Sequence, residues 1–263
     1  LGFLGTMGAN YYDYVISDPI LIKDECKRFY NEKIICLPSY QVNSSVMEWP
    51  NTMFDKKYFN IPQDVIVFGS INMNYKLTSD LFDSWARILF NVKDSVLVLY
   101  IHNKTAVDNL EKQMRIRNID PNRLLFTERI NGSEYWSRYK SIDIILDTFN
   151  CSGGATSSDA LRMGCPVLTC LGDTASSRFG GSLLTSLELP ELITSSPSEY
   201  EDRAIDLATN PTKLQFLKEK LLRHLSTKRL FDTHQFTDSI EKAYVEIHNQ
   251  HKNDKPPVDV YID

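Results

Sequence analysis

From residue 64 onward, short apolar runs alternate with segments of helical spacing, and this alternation constrains the fold more than any other feature. The runs are DVIVFGS, SVLVLYI, RLLFTER, IDIILDTF, PVLTCL and ELITS. Strands that are apolar throughout are typical of parallel sheets that helices cover on both faces. The pattern predicts an α/β fold whose doubly wound parallel sheet has six strands and occupies residues 63–226.

The segments on either side of this region predict a smaller structured unit. Strands are predicted at 14–16 and 33–38, and helical spacing predicts a helix over residues 20–30. Residues 39–62 contain two prolines and little periodicity, which indicates a linker. From residue 251 the chain is polar and carries two adjacent prolines, so we expect a disordered or loosely docked tail.

Composition and charge exclude several classes of protein. The net charge of -5 provides no basic surface for nucleic acid or for an anionic membrane. No stretch is long and apolar enough to span a bilayer, and no signal peptide is visible. The five cysteines follow no metal-binding spacing, which favours free thiols in a reducing compartment. We therefore expect a cytoplasmic protein, or one that is also nuclear, without nucleic-acid or membrane partners.

Small polar residues lie between the strand IDIILDTF and the helix that follows it. In open α/β sheets, ligands bind beyond the carboxyl ends of the strands. Glycines let a backbone approach phosphate closely, and the free amides of a helix N-terminus attract it. Thr156, with Asp159 three residues later, also fits a capping box. The residues alone therefore leave anion binding and simple helix capping evenly weighted.

Three other strand ends carry a cation. Lys76 follows the first strand of the predicted sheet, Arg138 follows the third, and Arg178 follows a run of small hydroxyl residues after the fifth. Each could be an ordinary surface charge, but together they predict a crevice that accepts an anion. The sequence contains no Asp-x-Asp clamp for a metal-bound nucleotide sugar, so we expect neither a metal ion nor a cofactor.

Several blocks of the sequence resemble one known family. The segments FGSINMNYKLT, EYWSRYKSIDIILDTFNCSGGATSSDALRMGCPVLTCLG and ASSRFGGSLLTSLELPELI resemble the catalytic region of the O-linked N-acetylglucosamine transferases and their SPINDLY-type relatives. The resemblance covers nearly the whole chain and keeps the order of the blocks. It implies a GT-B architecture of two Rossmann-like halves and an inverting, metal-independent transfer of GlcNAc from UDP-GlcNAc to Ser or Thr of acceptor proteins.

The resemblance also implies how the chain is divided. We predict the end of a first catalytic half with its linker over 1–62, a nucleotide-sugar-binding domain over 63–226, a C-terminal helix that packs back on the first half over 227–250, and a tail over 251–263. We expect further sequence upstream, with TPR repeats and the rest of the first half. The catalytic base is not identified, and we expect this segment alone to be inactive.

Site residues follow from the resemblance by position. Lys76 matches the lysine that neutralises the departing diphosphate, and Tyr75 matches its aromatic neighbour. Arg138 matches the arginine beside the uracil, and Asp159 matches the carboxylate that binds the ribose hydroxyls. The residues that match the phosphate-holding loop and helix start are Gly153, Gly154, Ala155, Thr156 and Ser157.

At four positions this chain differs from the animal enzymes of the family. Those enzymes have glutamine in place of Met73, histidine in place of Tyr135 and of Gly154, and threonine in place of Ala155. Each lost hydrogen-bond donor to the diphosphate corresponds to roughly a hundredfold in rate. Two alternatives therefore stay open. One is another sugar donor, such as GDP-fucose or UDP-glucose, and the other is a non-catalytic module for nucleotide binding or scaffolding.

Overall fold

Two parallel sheets organise the part of the chain that the structure, a computed structural model, describes. The described residues are 4–41, 56–59, 61–130 and 134–263. A sheet of six strands forms the larger unit, and a sheet of three strands forms the smaller one. Among the described residues, no helix has both the length and the apolar character that crossing a membrane requires.

The larger sheet confirms the doubly wound prediction. Its strands, in chain order, are β3 (Ile66–Ser70), β4 (Ser95–Tyr100), β5 (Leu124–Thr127), β6 (Ile144–Leu146), β7 (Val167–Cys170) and β8 (Ile193–Thr194). Their order in space is β5-β4-β3-β6-β7-β8, with every pair parallel. The winding reverses between β3 and β6, and this reversal opens a crevice beyond the carboxyl ends of those two strands.

α-Helices lie between the strands of the larger sheet and follow its last strand. They are α1 (Ser79–Asn91), α2 (Lys104–Ile116), α3 (Glu134–Ser137), α4 (Ala155–Arg162), α5 (Phe179–Ser186), α6 (Pro197–Thr209), α7 (Pro211–Thr227) and α8 (Thr233–Lys252). The predicted apolar face of α1 is buried against the sheet through Trp85, Ile88 and Leu89. Gly164 follows α4 with a φ of 74°, a left-handed conformation that glycine adopts without strain and that ends the helix as predicted.

The smaller sheet contains β1 (Tyr14–Ser17), β2 (Lys33–Cys36) and β9 (Val260–Tyr261), in the order β1-β2-β9. The first two strands confirm the prediction. The predicted helix over 20–30 is reduced to a short 3-10 helix at Asp24–Phe29. The reason is that Asp18 Oδ1 accepts the amides of Ile20 and Leu21, at 2.9 and 3.0 Å, and holds them in a turn. The predicted linker lies outside the described residues over 42–55.

The prediction of a disordered or loosely docked tail is wrong. Val260 is 1% exposed and pairs with Ile35 of β2. Asp259 Oδ1 accepts the amide of Ile34 at 2.9 Å, and the amide of Ile262 donates to the carbonyl of Cys36, also at 2.9 Å. The tail docks through partners more than two hundred residues away in the sequence, so local composition could not reveal it. Helix α8 packs on the same sheet through Ala243.

Candidate functional site

A cleft of about 520 Å³ lies beyond the carboxyl ends of β3 and β6, where the winding of the sheet reverses. Its walls come from the segments that follow β3, β5 and β6 and from Tyr100 at the end of β4. Ligand sites of this fold class occupy the same position. Of the predicted site residues, the structure brings six to the cleft: Tyr75, Lys76, Arg138, Gly154, Ala155 and Thr156.

Lys76 ends a short 3-10 turn, Asn74–Lys76, directly after β3. Its Nζ donates to Asn72 Oδ1 at 3.3 Å and to the carbonyl of Ser152 at 3.1 Å. Both acceptors are neutral, so they orient the ammonium group in the cleft and leave its charge for an anion. The loop before α4, which contains Ser152, is therefore already tied to Lys76.

Asp147 is a buried carboxylate under this loop, and sequence reasoning missed it. Its Oδ1 accepts the amides of Gly153 at 2.7 Å and of Thr148 at 2.9 Å, and its Oδ2 accepts the hydroxyl of Thr169 at 2.8 Å. Burial raises the pKa of Asp147 to about 6, while these hydrogen bonds act in the opposite direction. An aspartate directly after an apolar strand was the available signal.

The start of α4 is not capped by its own side chains, so of the two alternatives that the sequence left open, the capping box at Thr156 is not formed. The helix begins at Ala155, with Gly154 in the N-cap position and no side-chain cap. Thr156 therefore lies in the first turn rather than at the cap, and its Oγ1 donates to Asn72 Oδ1 at 2.8 Å. Within the part of the chain that the structure describes, no side chain caps the first amides of the helix, which favours the anion-binding interpretation.

Glycine is required at 153 for packing, because a Cβ there would clash with Ser157 Oγ. Position 154 is different, since the nearest atom to such a Cβ would be Gln41 Oε1 at 3.7 Å, an ordinary contact. Gly153 and Ser157 are buried behind the helix start and do not line the cleft. The Gly153 amide already donates to Asp147, so of the two only the Ser157 backbone amide is left for the predicted contact with phosphate.

Arg138 occupies the far end of the cleft and is 2% exposed. Its Nε donates to the carbonyl of Tyr135 at 3.0 Å, and its guanidinium lies 4.2 Å from the Tyr135 ring centroid and 5.7 Å from that of Tyr100. Its buried Nη1 has no hydrogen-bond partner within the described part of the chain. Leaving such a group unpaired costs about 1–3 kcal/mol or more, so a ligand that brings an acceptor gains that energy.

Two tyrosines connect this end of the cleft to α4. The hydroxyls of Tyr135 and Tyr139 lie 3.4 Å apart, and Tyr139 donates to the carbonyl of Thr156 at 3.2 Å. Burial raises the pKa of Tyr139 well above its ordinary value, so its hydroxyl keeps its proton. Asp159, half-buried on α4, does not line the cleft. Its predicted contact with ribose stays a prediction.

Arg178 does not reach the cleft, so the prediction that it helps to bind the anion is wrong. Its Nε donates to the carbonyl of Ile20 at 2.5 Å, and its Nη1 donates to that of Gly172 at 3.0 Å. Ser182 on α5 donates to Asp18 beside these contacts. Arg178 and Ser182 thus join the larger unit to the segment after β1. Three of the four strand ends that the sequence singled out therefore meet at the cleft.

Known proteins share both the sequence and this architecture. Residues 41–240 match glycosyl transferase family 41. Over 265 residues the chain is 31% identical to the probable UDP-N-acetylglucosamine–peptide N-acetylglucosaminyltransferase SEC of Arabidopsis thaliana, covering 98% of this chain and 27% of that protein. It is 29% identical over 250 residues to the corresponding protein named SPINDLY of Oryza sativa, covering 93% of this chain and 26% of that protein.

A solved structure shares this fold. The O-GlcNAc transferase of Thermobaculum terrenum superposes with a TM-score of 0.79 at 26% identity, covering 92% of this chain and 46% of that chain. This match supports the GT-B-type fold that the sequence predicts. The chain spans about a quarter of the length of the two plant relatives. The chain belongs to glycosyl transferase family 41.

Proposed function

We propose that this chain contains the sugar-donor site of a protein O-glycosyltransferase that transfers GlcNAc from UDP-GlcNAc to Ser or Thr of proteins. The observation that carries the proposal is the position of Lys76 beside the uncapped start of α4 in one cleft. The relatives' names specify UDP-N-acetylglucosamine and a peptide as substrates. The acceptor class of this chain rests on that similarity.

Stabilising the leaving group is the chemical task that this cleft can perform. As the bond between the sugar and the diphosphate breaks, its electron pair passes to the β-phosphate oxygen and the negative charge there grows. Lys76 Nζ and the first amides of α4 supply positive charge at that place. We therefore propose that the transfer needs neither a metal ion nor a cofactor. A single displacement by the acceptor hydroxyl oxygen would invert the anomeric centre, with the proton passing to a base outside the groups assigned here.

The other end of the cleft suits a pyrimidine base. Arg138 Nη1 lacks a partner in the part of the chain described, and a uracil carbonyl oxygen provides the acceptor. Tyr135 and Tyr100 form the aromatic wall around the guanidinium. We propose that the uracil lies at this end, with the ribose between it and α4 and with Asp159 as the candidate carboxylate for the ribose hydroxyls.

Calorimetric titration with UDP, UDP-GlcNAc and GDP tests the proposal. We expect UDP and UDP-GlcNAc to bind, GDP to bind at least about tenfold more weakly, and Lys76→Ala to lower the affinity for UDP at least about tenfold. Lys104→Ala is the matched control, because the Lys104 side chain is 88% exposed and pairs with Asp108 on the surface of α2.

The other outcomes separate the alternatives. A preference for GDP would contradict the uridine assignment while leaving the transferase class in place. Absence of binding to all three nucleotides would contradict the transferase proposal and support a scaffolding role.

A further inference from the structure

Asn72, two residues after β3, is a side chain of the cleft that sequence reasoning missed, and it is 5% exposed. Its Oδ1 accepts Lys76 Nζ at 3.3 Å and the Thr156 hydroxyl at 2.8 Å. Its Nδ2 donates to Asp147 Oδ1 and to Thr148 Oγ1, at 3.4 Å each. One amide thus joins the segment after β3, which carries Lys76, to the loop and the helix that follow β6.

The orientation of the Asn72 amide follows from its partners. The ionised carboxylate of Asp147 can only accept, and the Thr148 hydroxyl gives its own proton to the carbonyl of Cys151 at 2.6 Å, so both need a donor. The Lys76 ammonium group can only donate, so it needs an oxygen. A reversed amide would place N–H groups against the ammonium and an oxygen against the carboxylate. The network therefore directs the amide oxygen toward Lys76.

These four partners use the whole hydrogen-bonding capacity of the amide, which is two N–H groups and two lone pairs. Asn72 therefore has no polar group left for a ligand, although it lines the cleft. Lys76 uses two of its three N–H groups, on Asn72 and on the carbonyl of Ser152, and no acceptor among the described residues takes the third. A neutral amide oxygen holds the ammonium group without cancelling its charge, whereas a carboxylate in the same place would cancel it.

We propose that Asn72 is a positioning residue for the diphosphate site, which holds Lys76 Nζ beside the start of α4. This inference rests on the proposed function and adds to it a residue that makes no hydrogen bond to the donor. Groups that are held in place before the ligand arrives do not have to be ordered on binding, so their positioning is measurable as affinity. The carbonyl of Ser152 still restrains Lys76 when Asn72 is removed, so the loss of affinity is partial.

The test compares, by calorimetry, the affinity for UDP with that for uridine, which lacks the diphosphate. We expect Asn72→Ala to lower the affinity for UDP about three- to tenfold, and Asn72→Asp to lower it at least about tenfold because its carboxylate neutralises Lys76. Both variants should leave uridine affinity within about twofold. Asn91→Ala is the matched control, because Asn91 is exposed at the end of α1, where its amide donates to the carbonyl of Arg87. It should change neither affinity.

A double-mutant cycle separates positioning of Lys76 from a general loss of structure. In a Lys76→Ala background, Asn72→Ala has no ammonium group to position, and we expect it to lower UDP affinity further by no more than about twofold. The same fold-loss in both backgrounds overturns the inference, because Asn72 then acts independently of Lys76.

Two other results also overturn the inference and leave the proposed function intact. One is unchanged UDP affinity in both Asn72 variants, and the other is an equal loss for UDP and uridine, because the effect is then not on the diphosphate. Failure of the parent chain to bind UDP rejects the proposed function and this inference together.

Discussion

The amide of Gly153 donates to the buried carboxylate of Asp147 at 2.7 Å, and this hydrogen bond closes the loop between β6 and α4. Asp147 also accepts the hydroxyl of Thr169 on β7. A Cβ on Gly180 would clash with Asp147 Oδ2, so α5 packs directly on the carboxylate. One fully buried acid therefore connects the loop before α4 to a neighbouring strand and to the helix that contacts the smaller unit.

The raised pKa of Asp147 predicts a specific pH dependence of stability. Its pKa is about 6 in the folded chain and about 3.9 in an unfolded one. As pH rises from 4 to 6, the unfolded chain releases this proton first, so the contribution of Asp147 to stability falls by up to about 3 kcal/mol. Asp147→Asn removes this dependence. Between pH 4 and pH 7, the free energy of unfolding of the parent, measured by chemical denaturation, should fall by that amount relative to that of the variant. A difference between parent and variant that is the same at both pH values would contradict the account.

Arg138 is expected to act on the base and Lys76 on the diphosphate. Arg138→Lys keeps the charge but loses the planar group that stacks on Tyr135, so it should lower the affinities for UDP and uridine by a similar factor of about ten. Lys76→Ala should lower only the affinity for UDP. Calorimetry with both ligands, with melting temperatures as a check on folding, makes the comparison. An Arg138→Lys variant that lost only UDP affinity would show that the base lies elsewhere.

Arg178 should matter for stability and not for nucleotide binding. Arg178→Ala removes the hydrogen bonds to the carbonyls of Ile20 and Gly172, and we expect the free energy of unfolding to fall by about 1–3 kcal/mol. UDP affinity should stay within about threefold of the parent. Chemical denaturation and calorimetry measure the two effects. A tenfold loss of UDP affinity at unchanged stability would show that Arg178 contributes to nucleotide binding.

The docked tail should be part of the folded structure. Val260→Asp places a carboxylate in a position that is 1% exposed, and we expect it to lower the free energy of unfolding by about 3 kcal/mol or more. Val258→Asp is the control, because Val258 is 51% exposed two residues earlier. Denaturation of the two variants should differ clearly. Equal stability would contradict the docking of β9 on β2.

Local sequence pattern predicts the strands of the larger sheet and the position of the cleft. Continuous apolar runs identify the strands of the larger sheet, and the rule for ligands at strand ends locates the cleft with Lys76 and Arg138. Family resemblance adds the chemical identity of the ligand, which charge and small residues alone leave open.

The errors involve contacts between distant segments. Thr156 fits a capping box by spacing, but Asn72 from another strand end takes its hydroxyl. Arg178 has the sequence context of a phosphate ligand, but it donates instead to the carbonyls of Ile20 in the smaller unit and of Gly172 in the larger one. Val260 docks on a strand near the other end of the chain. The sequence supplies the side chains, whereas their partners depend on packing between segments that are distant in the sequence, which no local pattern specifies.

A crystal structure of this chain with UDP bound tests the central claim most directly. The account predicts that the diphosphate lies between Lys76 Nζ and the first amides of α4, with the uracil beside Arg138 and Tyr135. A diphosphate bound away from Lys76 and from the start of α4 would contradict it.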